Sequence, residues 1–281
     1  MELGLSQVSF SPFAVGVTII FGLAVGSFLN VCIYRVPRKR SVASPKRSYC
    51  PHCEHSLSAL DNIPVFSYIF LRGKCRYCKG TISPRYMIVE LLTAGLFVLM
   101  LRRSLALHQD PRYAALELVT TCIFVGFLIA ISFIDLEFTI IPNKIVYLGL
   151  PVGLLLAISA AILQRNANLI LSRVLGAVIG AGITILIAIV GSAVFRKEAM
   201  GGGDVKLMAM IGIYLGWWPH IPITLIAASL LGSIVGVSLI LVRRKEMESA
   251  IPFGPFLAIG ALLSLLYGEK LWAWYRNLTG L

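Results

Sequence analysis

Two aspartates are the residues of this sequence whose types and surroundings could support catalysis. Asp204 follows three glycines, Gly201 to Gly203, and precedes a short apolar stretch, whereas Asp135 closes a long apolar stretch. A carboxylate beside a membrane segment is costly and by default marks a functional site. For Asp204, the alternative is an ordinary N-cap at the start of a helix, where Asp is common.

Four of the six cysteines form two Cys-x2-Cys pairs separated by twenty-one residues. This spacing predicts a tetrahedral zinc site whose ligands are Cys50, Cys53, Cys75 and Cys78. Four thiolates fill the coordination sphere, so the predicted metal is structural and would fold a polar region that cannot form its own core. The alternatives are metal-free or disulfide-bonded cysteines, another thiophilic metal, and His52 or His55 in place of one sulfur.

The composition is that of a polytopic membrane protein. Hydrophobic residues make up 58% of the 281 residues, charged residues 14%, and the mean hydropathy is +0.86. Soluble globular domains do not have this composition. The net charge of +12 lies mostly between the hydrophobic segments. Membrane topology and anionic lipid account for it, and no nucleic-acid partner is expected.

The predicted fold is all-α, with about eight transmembrane helices and a zinc-knuckle cytoplasmic insertion between the first and second. The apolar stretches place these helices at about 13–33, 86–101, 113–134, 141–163, 174–195, 205–218, 221–242 and 251–267. The chain thus divides into a first transmembrane helix at 1–34, a cytoplasmic zinc-binding region at 35–85, and a transmembrane domain at 86–281.

The distribution of basic residues predicts the orientation. With 35–85 in the cytoplasm, eighteen of the twenty-five Lys and Arg residues lie on that side, including Lys197 and the run 243–245. The count of segments then brings Asp135 and Asp204 to the same cytoplasmic face.

Two carboxylates in a bundle of low dielectric constant can share one proton, and the resulting acid and base can activate water. This is the chemistry of aspartic proteases. Asp204 begins a helix and Asp135 ends one, so the helix dipoles suggest that Asp204 is the ionised base and that Asp135 carries the proton. A Ser/His/Asp site is disfavoured because two histidines lie in the zinc region and the other two on the outer side.

In order and spacing, the motifs of this chain resemble those of the prepilin peptidases (type IV leader peptidases), which are GxGD-type aspartic proteases. The matching stretches are Gly26-Ser27-Phe28-Leu29-Asn30-Val31, the cysteine cluster, Asp61-Asn62-Ile63-Pro64-Val65, Gly73-Lys74-Cys75, Ile82-Ser83-Pro84-Arg85-Tyr86 with Glu90, Asp135 and Gly201-Gly202-Gly203-Asp204. The chain departs from the family at Asn143, where many relatives have Asp, and this change should leave catalysis intact.

The resemblance implies a multi-pass protein of the bacterial inner membrane with its active site on the cytoplasmic side. Such enzymes remove the short basic leader, after a Gly, from type IV prepilins and type II secretion pseudopilins. Membrane lipid surrounds them. The resemblance assigns catalysis to Asp135 and Asp204.

Family members with the long first cytoplasmic region also N-methylate the new terminal residue using S-adenosylmethionine, so this activity is implied as well. By resemblance, Gly73, Lys74 and Glu90 are candidates for the methyl-transfer site. A buried hydrogen bond between helices is the alternative role for Glu90.

Two other functions fit the pair of aspartates. One is a GxGD protease that cuts within a membrane span, although such enzymes have Tyr before the first Asp and this chain has Ile134. The other is an ion-coupled transporter that uses both carboxylates, but a transporter gives no reason for the zinc knuckles.

Overall fold

Helices form nearly all of the regular structure. The computed structural model describes residues 11–45, 47–50, 52–196, 200–242 and 252–280, and within these ranges there are two isolated β-bridges but no strand. The helices are α1 (Pro12–Arg35), α2 (Phe66–Phe70), α3 (Arg85–Leu107), α4 (Pro111–Phe138), α5 (Asn143–Gln164), α6 (Asn168–Phe195), α7 (Gly202–Leu215), α8 (His220–Leu241) and α9 (Gly254–Thr279). Residues 1–10 of the predicted first segment, Lys197 and the basic run 243–245 lie outside the described residues.

The prediction of an all-α, multi-pass membrane protein is confirmed. Among the described residues, six helices are long and apolar enough to cross a membrane: α1, α4, α5, α6, α8 and α9. The other two predicted segments are α3, which carries Glu90, Arg102 and Arg103, and the short helix α7. The five-residue helix α2 was not predicted. The division of the chain at residues 34/35 and 85/86 remains a prediction.

Some helix boundaries differ from those predicted. Asp135 lies inside α4 rather than at its end, because the helix continues to Phe138 and stops only at Thr139, whose φ is +53°. The last helix begins at Gly254 and runs well beyond the predicted end at residue 267.

The first compact unit, Met1–Ala130, contains α1, the cysteine-containing insertion, α2, α3 and the first part of α4. Small residues at one-turn intervals on α1 let α3 pack closely against it in an antiparallel direction. The facing pairs are Gly22 with Ala94, Gly26 with Glu90, and Asn30 with Tyr86, whose carbonyl accepts a hydrogen bond from the Asn30 side chain.

The second compact unit, Ile131–Leu281, is built around α7. This helix contacts α5, α6, α8 and α9, and its buried side chains include Leu207, Met208, Met210 and Ile211. With fourteen residues it is about 21 Å long, shorter than the hydrocarbon core of a bilayer, which is about 30 Å thick. The first turn of α7 carries Asp204.

Candidate functional site

The structure brings the two predicted catalytic carboxylates into one buried site of the second unit. Asp135 lies in the last turns of α4 and Asp204 in the first turn of α7, and only 4% and 8% of their surfaces are exposed. Ile141 adjoins both: a Cβ on Gly203, the neighbour of Asp204, would lie 2.8 Å from the Ile141 Cβ, and a Cβ on Gly254, the partner of Asp135, would lie 3.4 Å from the Ile141 Cδ1. Two carboxylates buried this close to one another strongly disfavour double ionisation.

Backbone geometry fixes Asp204 at the start of α7. The N–H of Gly201, the N-cap residue, donates to Asp204 Oδ2 at 3.2 Å, and the N–H of Asp204 donates to the carbonyl of Gly201 at 3.1 Å. The intervening Gly203 lies against the side chain of Ile141, and a Cβ at this position would come within 2.8 Å of the Ile141 Cβ. A glycine is therefore required immediately before the aspartate.

A third segment, the start of α9, fixes Asp135. The N–H of Gly254, the first residue of α9, donates to Asp135 Oδ2 at 2.9 Å. A Cβ at Gly254 would lie 2.7 Å from the same oxygen. Pro255 follows in the first turn of α9, where its missing N–H costs no hydrogen bond.

The N-terminus of a helix therefore faces each carboxylate, α7 for Asp204 and α9 for Asp135. The partial positive charge at such an end favours an anion. At Asp135 the N-terminus of α9 opposes the effect of the α4 C-terminus, and the assignment of Asp204 as the ionised base stays a prediction. The sequence argument considered only the helix that carries each residue and missed the contribution of α9.

Sequence analysis also missed Gly254 and Ile141 as parts of this site. The stretch Pro252-Phe253-Gly254-Pro255 carried a signal, because closely spaced Pro and Gly residues mark a special backbone position. Nothing in the local pattern indicated its partner.

Asn143, the first residue of α5, lies beside the first turn of α7. Its Oδ1 accepts a hydrogen bond of 2.9 Å from Lys206 Nζ at the protein surface. The Lys206 ammonium also lies over the ring of Tyr147, 5.6 Å from the centroid. The hydrogen bond between Asn143 and Lys206 thus links the starts of α5 and α7, and it does not involve Asp135 or Asp204.

The four predicted metal ligands of the first unit form one cluster. Their sulfur atoms all lie within 4.8 Å of one another, and the Sγ atoms of Cys50 and Cys78 are 3.8 Å apart. Tetrahedral coordination with Zn–S bonds of about 2.3 Å gives sulfur–sulfur distances of about 3.8 Å. The arrangement therefore has the dimensions of a four-thiolate metal site.

Each Cys-x2-Cys pair is held by the same backbone arrangement. In the first, the N–H of Cys50 donates to the carbonyl of His55 and the N–H of Glu54 donates to the carbonyl of Cys50. In the second, Cys75, Gly80 and Lys79 make the two equivalent bonds. The sequence spacing thus corresponds to two equivalent knuckles.

The electrostatics of the cluster favour a bound cation. Backbone N–H groups of Cys78 and Tyr77 outweigh burial and lower the pKa of Cys75 to about 7. At Cys53 the N–H of His55 favours the thiolate, but burial and the sulfurs of Cys78 and Cys50 outweigh it and raise the pKa to about 11. Four sulfurs this close cannot all become thiolates unless a cation offsets their charge.

Asp61 connects the second knuckle to the rest of the insertion. Its buried carboxylate accepts hydrogen bonds from Arg76 Nε at 2.6 Å and from the Ser58 hydroxyl at 2.8 Å. Burial opposes ionisation of Asp61, but these hydrogen bonds outweigh it and lower its pKa. Since Arg76 lies between Cys75 and Cys78, Asp61 restrains the second knuckle through its bond to Arg76.

The three methyl-transfer candidates lie around α2. Glu90 is buried in α3, where its Oε2 accepts a hydrogen bond of 2.7 Å from the N–H of Val65, and Ser27 of α1 also bonds to it. Gly73 has φ +65° and follows the other end of α2, with Lys74 beside it at the start of the second knuckle. Five helical residues, about 7.5 Å, separate the two ends of α2.

Comparison with known proteins identifies the family. Residues 20–104 match the Bacterial Peptidase A24 N-terminal domain, and residues 122–237 match the Type IV leader peptidase family. A prepilin leader peptidase/N-methyltransferase of Aeromonas hydrophila is 36% identical, over 91% of this chain and 91% of that protein. A protein of the same name from Dichelobacter nodosus is 37% identical, over 95% and 96%. No solved structure matches the chain. These similarities extend over nearly the whole chain, which therefore belongs to the type IV leader peptidase family of membrane enzymes.

Proposed function

We propose that this protein removes the basic leader peptide from type IV prepilins and type II secretion pseudopilins at the cytoplasmic face of the bacterial inner membrane. The observation that carries the proposal is the buried pair of Asp135 and Asp204 in a chain of this family. The relatives named above are prepilin leader peptidases, which favours this reading over a transporter or another GxGD protease.

In the proposed mechanism the two aspartates share one proton. The ionised carboxylate takes a proton from a water molecule, whose oxygen bonds to the carbonyl carbon of the scissile peptide. The protonated carboxyl group gives its proton to the carbonyl oxygen. The carboxyl group that took the water proton then gives it to the nitrogen as the carbon–nitrogen bond of this tetrahedral intermediate breaks. The other carboxylate takes a proton from a hydroxyl group of the intermediate, which leaves a carboxylic acid, an amine and one proton again shared by the pair. The N–H groups of Gly201 and Gly254 orient the two carboxylates.

Asn variants test the aspartyl mechanism. Asp135→Asn and Asp204→Asn retain an oxygen that can accept the hydrogen bonds from Gly254 and Gly201, so both variants should fold. Purified full-length protein is incubated with a prepilin, and mass spectrometry follows loss of the leader. We expect the rate of cleavage by each variant to fall at least 10³-fold, because removing one member of a group of residues that act together removes most of their catalysis. Asp110→Asn, in an exposed ion pair with Arg112, is the control.

Full cleavage by either Asn variant would exclude the dyad. The two aspartates would then have a structural role at the helix ends, and the family's activity would require other residues.

We further propose that the protein N-methylates the new terminal amine with S-adenosylmethionine, using Gly73, Lys74 and Glu90. The names of the relatives include N-methyltransferase, and a buried carboxylate is suited to orienting an ammonium group or a methyl donor. In the same assay with S-adenosylmethionine, Glu90→Gln should lose methylation and retain cleavage. If methylation persists at the wild-type rate, Glu90 serves only to hold Val65 and Ser27.

The metal of the four-cysteine cluster is proposed to be zinc with a structural role. All four thiolates would bind it, which leaves no position for water or substrate. Elemental analysis of the purified protein should give one zinc per chain, and Cys75→Ser should reduce it at least tenfold.

A further inference from the structure

A cluster of exposed apolar side chains lies on the cysteine-containing insertion. The short 3-10 turn Leu60–Asn62 and helix α2 carry it, and Phe70 is 81% exposed and Phe66 56% exposed. We call this cluster the α2 patch; its residues are Leu60, Ile63, Phe66, Ile69 and Phe70. Large side chains grouped in this way on a region outside the long helices mark an interaction surface.

The sequence concentrates these residues in one place. In residues 63–71 only Ser67 and Tyr68 carry a polar group, although the insertion is otherwise polar. Nine residues are too few to span a bilayer. Tyr68 is partly buried, and its hydroxyl donates to the carbonyl of Ile82, which follows the second knuckle. Tyr68 thus attaches α2 to the insertion, whereas Phe66, Ile69 and Phe70 remain uncovered.

Hydrogen bonds place α2 beside the first turns of α3. The N–H of Val65, the residue before α2, donates to Glu90, which lies five residues, about 7.5 Å, inside the start of α3. Side chains of a helix tilt toward its N-terminus, so Glu90 reaches back toward that start. Val65 holds this position with φ +63°, which is costly for a β-branched residue.

The length of α1 relates this position to the bilayer. Its 24 residues measure about 36 Å, only slightly more than the hydrocarbon core of about 30 Å. Gly26 of α1 lies against Glu90, and Asn30 is hydrogen-bonded to Tyr86. The start of α3, and with it the α2 patch, therefore lies level with the surface at which α1 leaves the bilayer.

The charges next to the patch fit the same location. Arg72 and Lys74 follow α2 directly and both are exposed. An apolar surface bordered by basic residues is typical of helices that lie in the headgroup region of a membrane.

We propose that α2 is an interfacial anchor, whose patch inserts into the headgroup and acyl-chain boundary of the bilayer beside α1 and α3. The anchor holds the insertion against the membrane, and with it the metal cluster. This inference does not depend on the proposed peptidase or methyltransferase activities, since it uses only the first unit and the membrane.

Photo-crosslinking in lipid tests the proposal directly. A diazirine-bearing amino acid replaces Phe70 in the full-length protein, which is reconstituted into nanodiscs of phosphatidylethanolamine and phosphatidylglycerol. After illumination, mass spectrometry identifies what is attached to this position. Phe70 is almost fully exposed, so the replacement should not disturb folding, and an unchanged zinc content of the protein verifies this.

The control places the same amino acid at Lys79, an exposed residue at the turn of the second knuckle. We expect the yield of lipid adduct at position 70 to be at least tenfold higher than at position 79. The proposal is overturned if the two yields are equal, or if position 70 crosslinks mainly to another part of the chain. It is also overturned if added prepilin captures position 70 in place of lipid, which would make the patch a substrate-docking surface.

A double variant provides a second measurement. In Phe66→Ser/Phe70→Ser, hydrogen exchange of residues 63–71 in nanodiscs should be at least tenfold faster than in the wild type, while residues 75–81 are unchanged. Equal exchange of residues 63–71 in the two proteins would contradict insertion of the patch.

Discussion

The contact between Gly254 and Asp135 gives the sharpest test of the site's geometry. In Gly254→Ala, the new methyl group would lie 2.7 Å from Asp135 Oδ2 and 3.3 Å from its Cγ. Unstrained contacts of this kind are about 3.5 Å, so the carboxylate or the start of α9 must move by roughly 0.8 Å to reach that distance. The same oxygen accepts the hydrogen bond from the Gly254 N–H, so the shift also disturbs this bond.

The expected cost follows from this displacement. A misplacement of about 1 Å at a catalytic group can lower the rate about 10²-fold. We therefore expect Gly254→Ala to lower kcat/KM for prepilin cleavage between about 10-fold and 10²-fold. Gly254 does not have a left-handed backbone conformation, so the effect should come from the methyl group rather than from backbone strain.

The assay compares kcat/KM for the wild type, Gly254→Ala and Gly126→Ala. Gly126 lies in the same helix as Asp135, but a Cβ there meets no atom within 4 Å. Its substitution should leave cleavage within about twofold of the wild type, and the better helix propensity of Ala should stabilise α4 by roughly 0.5–1 kcal/mol. If Gly254→Ala also retains activity within twofold, the start of α9 does not constrain the Asp135 carboxylate and the reasoning fails.

Two further substitutions test the supporting contacts. Asp61→Asn removes the charge from a hydrogen bond to the half-exposed Arg76, a charge worth about 1 kcal/mol after solvent screening. Release of zinc to a chelator should therefore be about fivefold faster. An unchanged release rate would mean that Asp61 does not restrain the knuckle. Asn143→Asp should convert the hydrogen bond to Lys206 into a surface ion pair worth about 0.2–1 kcal/mol. The melting temperature should rise by about 1–2 °C, and the rate of cleavage should not change. A large loss of cleavage would instead mean that Asn143 takes part in catalysis.

The features that the sequence predicted best are those determined by spacing along the chain. The interval between the two cysteines of a knuckle fixes a local turn, so the four-cysteine cluster follows from the sequence once two such turns are present. The helices follow from apolar stretches of membrane length. For the carboxylate pair the prediction needed one more step, the count of segments between Asp135 and Asp204. That these two residues catalyse the reaction remains a prediction.

Contacts that join distant segments could not be predicted in the same way. Gly254 donates a hydrogen bond to Asp135, 119 positions earlier in the chain. The local sequence around either residue does not predict this partner. Val65 is a clearer case still, because a β-branched residue at positive φ contradicts local preference. In this conformation the N–H of Val65 is bonded to Glu90, twenty-five positions later in the chain. Helix propensity and hydrophobic periodicity describe one segment at a time, whereas the conformations of Gly254 and Val65 depend on contacts between two segments.

Gly201 and Gly254 stabilise the charge of the buried pair of aspartates. The charges of Asp135 and Asp204 would repel each other, and each carboxylate accepts a hydrogen bond from the backbone N–H of a glycine at the start of a helix. The end of a helix supplies about half a positive charge, which stabilises an anion without neutralising it as a salt bridge would. One negative charge can thus be shared between the carboxylates while the other carries a proton, which is the state that acid–base catalysis requires. A glycine donates its N–H without a side chain that would fill the space beside the carboxylate. This explains why helices α7 and α9 begin at the site with glycine rather than with a conventional side-chain cap.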